Sequence, residues 1–208
     1  MQVQDKVVLI TGGGSGIGAE SARYLTARGA RVAIAGIEMD GVHRVAEEVG
    51  GLALKMDVRK EESVAAGVKL ATEHFGRLDA VVANAGIQRH NTDRDLFRLS
   101  EEEWQLTQDV NLAGVMRTCK AALGQMIDQG DGGAVVIMSS ITGVHGLSAN
   151  VSYSTAKAGL LGLNRHIAVH YAKHGIRCNA ILPGALTQTP DWNDHPNPER
   201  RKEAMEAA

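Results

Sequence analysis

The stretch Lys6-Val7-Val8-Leu9-Ile10-Thr11-Gly12-Gly13-Gly14-Ser15-Gly16-Ile17-Gly18 decides the fold. Its first six residues form a short apolar, β-branched run, the pattern of a parallel strand buried on both faces. The run opens into a glycine cluster, and a helical pattern follows over Ala19–Arg28, closed by Gly29. Glycines allow the backbone to approach a pyrophosphate, and a helix N-terminus offers free N–H groups and a favourable dipole. In this context the turn reads as a nucleotide-phosphate loop, although glycine also serves βα turns that hold no ligand. The T-G-x-x-x-G-x-G spacing differs from the G-x-G-x-x-G fingerprint.

Outward from this turn, strands and helices alternate. Arg31–Ala35, Leu52–Met56, Leu78–Ala83, Ala134–Met138 and Ile176–Leu182 read as strands. Asp40–Val49, Lys60–Phe75 (stopped by Gly76), a pattern from Ser100 to about Asp128, and Ser152–His174 read as helices. Ser100 with Glu103 has the form of a capping box. Gln88–Leu99 reads as a polar loop. The alternation predicts one α/β domain, a doubly wound parallel sheet with helices on both faces. In such sheets a ligand sits outside the carboxyl ends of the strands. The glycine cluster, Asn84-Ala85-Gly86, Ser139-Ser140 and Pro183-Gly184 all fall at such ends.

The 208 residues carry a net charge of −2 with no block of like charges, which excludes an electrostatic nucleic-acid binder and a polybasic membrane anchor. The short apolar run Val7–Ile10 follows Asp5 and Lys6 and is no signal peptide; no segment reaches transmembrane length. Cys119 and Cys178 lie in different elements and read as two reduced, buried thiols of a cytoplasmic protein.

Tyr153 and Lys157 stand one helical turn apart on one face. A free phenol titrates at about 10, too high for a base at neutral pH, and a fixed ammonium pulls that value down. Lowering it by three units needs ~4 kcal/mol, more than one lysine in a half-wet cleft supplies. Such a pair is also common on half-exposed helices. His166, His170 and His174 make a second stripe, roughly 220° around the helix from Tyr153 at ~100° per residue. It reads as a solvent or subunit-interface face, and no metal site is expected.

Thr11-Gly12…Gly16…Gly18, Asn84-Ala85-Gly86, Asn111, Ser140, Tyr153 with Lys157, and Pro183-Gly184 occur in this order. Over about residues 5 to 190 the set resembles the short-chain dehydrogenase/reductase family. The resemblance implies a Rossmann-like sheet, a nicotinamide cofactor and hydride transfer between NAD(P) and a secondary alcohol/ketone pair. It implies Tyr153 as general acid/base, Lys157 lowering its pKa and binding the nicotinamide ribose, Ser140 holding the substrate oxygen, and Asn111 holding a water that links Lys157 to solvent. The positive charge of an oxidised nicotinamide would add to that of Lys157. The cofactor would lie along Thr11, Gly12, Gly14, Ser15, Gly16, Ile17 and Gly18, with Asn84, Ala85 and Gly86 beside the adenine ribose. Asp57 and Val58 would meet the adenine, although an Asp at that strand end equally caps the next turn. Pro183, Gly184 and Thr187 or Thr189 would border the nicotinamide.

The usual acidic position after the second strand is Gly36 here, and Glu38 is placed to reach the ribose. With Ser15 and Ile37 in place of basic residues, NAD(H) is favoured over NADP(H). A homodimer or homotetramer is implied by the resemblance alone. Residues 185–208 read as a substrate lid, and the family's further helix and seventh strand are missing, so the C-terminus reads as truncated. An apolar edge strand, Ile176–Leu182, would then be exposed. A catalytically inactive nucleotide-binding regulator or scaffold of the same fold is the rival reading. A sugar-nucleotide epimerase fits less well, for its glycine spacing is usually T-G-x-x-G-x-x-G and its chain longer.

Overall fold

The computed structural model describes residues 3–146, 150–184 and 199. Within them β1 (Val7–Thr11), β2 (Arg31–Gly36), β3 (Leu52–Lys55), β4 (Ala80–Ala83), β5 (Gly133–Met138) and β6 (Ile176–Ile181) form one sheet, ordered β3-β2-β1-β4-β5-β6. Every neighbouring pair is parallel, so each connection crosses over a face of the sheet. The crossovers carry α1 (Gly16–Thr26), α2 (Met39–Val49), α3 (Glu61–Phe75), α4 (Glu101–Gln108), α5 (Gly114–Gln129) and α6 (Val151–His170). The strand order reverses between β1 and β4, which opens a crevice at their carboxyl ends.

Side chains alternate between the two faces. Val7 and Leu9 enter a core with residues of α3, α5 and α6; Val8 and Ile10 enter a second core with α1 and α2. At the other end of the sheet Asp79, 5 % exposed, ties the strands together. Its carboxylate accepts from Val7 N–H (2.9 Å), from Arg77 Nε and Nη2 (2.9 and 2.8 Å) and from Lys6 Nζ (3.3 Å). Burial alone would raise its pKa; the bonds from Arg77, Val7 and Lys6 hold it below the usual carboxylate value.

Several boundaries differ from the sequence expectation. α1 begins at Gly16, so the last glycines of the loop form its first turn. The long helical pattern after Ser100 is broken by a π-helical turn, Asp109–Ala113, with Asn111 at its centre. α5 then resumes at Gly114, where a Cβ would stand 2.8 Å from Val58 Cγ2; glycine there lets the helix close onto Val58. α6 stops at His170, and Ala172–His174 is a separate 3₁₀ turn. Only half of the capping box forms. Ser100 Oγ accepts from Glu103 N–H (3.2 Å), but the Glu103 carboxylate turns away to accept from Arg89 Nε and Thr107 Oγ1. β6 is an edge strand in the described sheet, yet it is not apolar on its open face. Ile176 and Cys178 point inward, whereas Arg177 and Asn179 are exposed beside a half-exposed Ile181.

Candidate active site

The phosphate loop is built by close approach. Gly12 leaves β1 at φ +64, and a Cβ on Gly18 would collide with the carbonyl oxygen of Gly12. Gly14 packs on the first turn of α2, where a Cβ would stand 2.9 Å from Val42 N. Ser15 precedes α1 but its side chain makes no cap, and the first turn holds no acidic residue. The dipole of α1 is therefore uncompensated, as a bound diphosphate requires. Ile17 packs into the α1–α2 core. Thr11 is turned inward: its Oγ1 accepts from Asn84 N–H and Ala85 N–H, both at 3.1 Å. Asn84 Nδ2 returns bonds to the carbonyls of Thr11 (3.0 Å) and Gly12 (3.1 Å). These two side chains lock the ends of β1 and β4 together.

Two residues on, Gly86 lies against both Asn111 and Lys157. A Cβ there would stand 2.9 Å from Asn111 Oδ1 and 3.5 Å from Lys157 Nζ. Asn111 is fully buried, and its amide clamps one peptide: Oδ1 accepts from Ile87 N–H (2.8 Å) and Nδ2 donates to Ile87 O (2.7 Å). The side chain expected to hold a water is thus engaged in fixing the loop after β4. Lys157 is 3 % exposed. Its Nζ donates to the carbonyl of Met138 (2.8 Å) and lies 5.4 Å from the centroid of the Tyr153 ring. Burial pushes the Lys157 ammonium down to about 8.

The paired serines after β5 separate by orientation. Ser139 Oγ donates to the carbonyl of Lys157 (2.8 Å), which pins β5 to α6. Ser140 precedes a short 3₁₀ turn, Ile141–Gly143, and its Oγ accepts from Thr142 N–H (3.3 Å) and Thr142 Oγ1 (3.1 Å). Neither contact uses the Ser140 proton. Pro183 joins the same corner, its carbonyl accepting from Ile141 N–H (3.1 Å), and Gly184 follows beside Ile141. Six chain segments thus converge at the strand ends: 11–18, 84–87, the π turn at Asn111, 138–140, 183–184 and α6.

The outer positions are more varied. Glu38 is exposed at the start of α2 and caps nothing with its side chain. Gly36 has little room for an acid, since a Cβ would stand 3.0 Å from Val42 Cγ2. Asp57 adopts the turn-capping arrangement. It accepts from Arg59 N–H (3.0 Å) and forms a two-pronged pair with Arg59 Nε and Nη2 (2.9 and 2.8 Å). An adenine amino group would meet a carboxylate already paired. Val58 is buried against Gly114. His166, His170 and His174 are exposed. Thr187, Thr189 and the expected lid lie outside the described residues.

Sequence reasoning missed Asp93. It sits in the stretch read as a polar loop, yet it is 1 % exposed, and its oxygens accept from Ser152 N–H (2.9 Å) and Tyr153 N–H (2.8 Å). The only sequence signal was a short acidic side chain inside a loop that also carries Arg89 and His90.

Comparison with known proteins agrees with this architecture. The model of the short chain dehydrogenase family matches residues 6–199. The cis-4-hydroxycyclohexanecarboxylate dehydrogenase of Sinomonas cyclohexanicum is 43 % identical over 184 residues, 86 % of this chain and 73 % of that protein. The levodione reductase of Leifsonia aquatica is 38 % identical over 189 residues, 88 % of this chain and 70 % of that protein. A crystal structure of levodione reductase superposes with a TM-score of 0.90 at 35 % identity, covering 98 % of this chain and 81 % of that one. A 3-ketoacyl-(acyl-carrier-protein) reductase from Brucella melitensis, complexed with NADH, gives 0.83 at 31 % identity, covering 88 % of this chain and 77 % of that one. With the reversal crevice, the glycine turn and the family match in agreement, the chain belongs to the short-chain dehydrogenase family.

Proposed function

We propose that the chain is an NAD(P)-dependent dehydrogenase or reductase that interconverts a secondary alcohol and its ketone, with Tyr153 as the general acid/base. The observation that carries this reading is the placement of Lys157: a buried ammonium, anchored on Met138 O, beside the Tyr153 ring. The glycine cradle and the uncapped N-terminus of α1 fit a dinucleotide diphosphate. Gly12 to Gly18 would hold that group, with Glu38 at the ribose and Lys157 at the nicotinamide end. When bound, the nicotinamide supplies the hydride acceptor or donor. Ser140 holds the substrate oxygen through its unused proton. Tyr153 takes the hydroxyl proton in oxidation and returns it in reduction. Lys157 stabilises the phenolate, and Asn111 keeps the loop at Ile87 from drifting across the site.

Glu38 and the absence of a basic residue at positions 15 and 37 favour NAD(H) over NADP(H). The opposing feature is Arg44, whose Nη2 reaches Gly14 O (3.4 Å) on the same rim. Two relatives are named for a hydroxycyclohexanecarboxylate and for levodione, so cyclic secondary alcohols and ketones lead the substrate panel. The exposed apolar side chains Met116 and Val169, on α5 and α6, suit a homodimer or homotetramer. The test is an alcohol and ketone panel run with each cofactor and followed by nicotinamide absorbance. Turnover with NAD(H), reduced by Glu38→Ala, supports the reading. Cofactor binding without turnover of any panel member contradicts it.

A further inference from the structure

The first turn of α6, which carries Tyr153, is not capped by its own chain neighbour. Asn150 stands at the cap position, but its side chain makes no cap bond. Its Nδ2 donates to the backbone carbonyl of Asp93 (2.5 Å), and its Oδ1 accepts from Gln88 Nε2 (3.2 Å). The open N–H groups of α6 are met instead from the loop after β4. We propose that Asp93 is a positioning residue of the active site: its carboxylate caps α6 in trans and thereby sets where Tyr153 stands. The proposal rests on the reading of Tyr153 as acid/base given above.

Both carboxylate oxygens are used, one on Ser152 N–H and one on Tyr153 N–H. Two bonds from one planar group fix the rotation of the helical turn as well as its height. The second bond is made to the backbone of the reacting residue itself. An anion at this end also matches the helix dipole. Gln108 Nε2 secures the same turn from α4 by donating to Ser152 O (2.8 Å). The loop that borders the substrate is therefore stapled to the tyrosine helix through buried groups, since Asp93, Asn150 and Ser152 are all buried. An amide in place of the carboxylate would turn an N–H₂ toward one of the two N–H donors.

The charged groups around Asp93 come from two elements. Its own loop supplies Arg89 and His90, and α4 supplies Glu103 paired to Arg89 (2.9 Å). Burial pushes the Asp93 carboxyl above the ordinary carboxylate value and Glu103 adds to this, against the N–H bonds from Tyr153 and Ser152 and the influence of His90. For a carboxyl raised in the folded state, the folded chain binds the extra proton, so stability from this group grows as pH falls through that window. Protonation therefore loosens the cap without unfolding the chain. An ordinary stabilising cap would lose stability and activity together.

The test uses the full chain in two measurements. First, pH profiles of kcat and kcat/KM at saturating cofactor are recorded for the unmodified chain and Asp93→Asn, with thermal melts alongside. A displaced helix turn predicts a fall in kcat of about tenfold to a hundredfold at pH 7, cofactor affinity within about twofold, and loss of an acid limb that the unmodified chain shows above the ordinary carboxylate range. Second, amide exchange of Ser152 and Tyr153 in the unmodified chain, corrected for intrinsic rates, should lose protection in step with that acid limb while the melting temperature holds. Asp93→Asn with the kcat and pH profile of the unmodified chain overturns the proposal. So does flat amide protection across the acid limb, which decides the matter alone where Asp93→Asn does not fold. A chain with no turnover on any substrate defeats the acid/base reading instead, and the amide measurement still tests the cap.

Discussion

Lys157 Nζ donates to the carbonyl of Met138, the last residue of β5, across 2.8 Å. The sheet end thus fixes the charge that the tyrosine helix carries. Holding an ammonium at 3 % exposure is unfavourable, and the drop from 10.5 to about 8 corresponds to ~3 kcal/mol against folding at neutral pH. A chain selected for stability alone would gain by losing this group, a cost that the proposed role of Lys157 beside Tyr153 would explain.

That cost has a pH signature. Between pH 8 and 10.5 the unfolded chain holds a lysine proton that the folded chain has released, so stability rises with pH. Cys119 and Cys178 act oppositely above about 9, because burial pushes their thiols up to about 12 and about 11 and the folded chain then keeps protons the unfolded chain has lost. In urea titrations the Lys157 contribution should climb by ~1 kcal/mol between pH 8 and 9, largely offset by the two thiols, and net stability should fall beyond pH 9. Lys157→Met should lack the climb, melt no lower than the unmodified chain at pH 7, and show no measurable turnover.

The two serines should divide into structure and chemistry. Ser139→Ala removes the buried bond to Lys157 O and is expected to lower stability by ~1 kcal/mol. Ser140→Ala should leave the melting temperature within a degree or two and reduce kcat/KM by about a hundredfold, the scale of losing one oxyanion donor. Paired melts and kinetics on the two variants check this; the reverse pattern would move the substrate contact to Ser139.

Gly18→Ala should abolish dinucleotide binding. The added methyl meets Gly12 O, a backbone atom that moves only if the turn opens. Fluorescence titration with NADH measures the loss directly. An affinity within about tenfold of the unmodified chain would mean that the cofactor does not lie along this turn.

Asp79 serves as the control far from the crevice. Asp79→Ala leaves Val7 N–H unmet inside the sheet and strips Arg77 of its two-pronged partner. A loss of ~2–4 kcal/mol is expected, with kcat per folded molecule unchanged. In the unmodified chain the depressed carboxyl contributes stability above about pH 3.9 that is lost as pH falls through its lower folded value. Denaturation at pH 7 and pH 3 reads both effects.

Much of the fold is legible in the sequence. The β-branched runs gave the strands, because burial on both faces removes polar residues from them. The strand ends pointed to the candidate site, because a parallel sheet places all its loops of one kind at one edge. The family resemblance favours Ser140 over Ser139 by its spacing from Tyr153, and in the structure Ser139 turns inward to the carbonyl of Lys157. What escaped was cooperation across the chain. The π turn at Asn111 is a backbone feature only five residues long inside a long helical pattern, too short for periodicity to announce. Glu103 has the sequence of a capping-box acid, but Arg89 and Thr107 compete for its carboxylate. Asp93 reads as a loop acid because its partners, the amides of Ser152 and Tyr153, lie some sixty residues on.

The central claim is that Tyr153 transfers the substrate proton at a site whose cofactor loop is independent of it. The most direct measurement is steady-state turnover of Tyr153→Phe on the best panel substrate, with NADH affinity titrated on the same preparation. The account predicts a fall in kcat of ~10²–10⁴ with cofactor affinity within about twofold. Turnover near that of the unmodified chain, with the cofactor still bound, would contradict it.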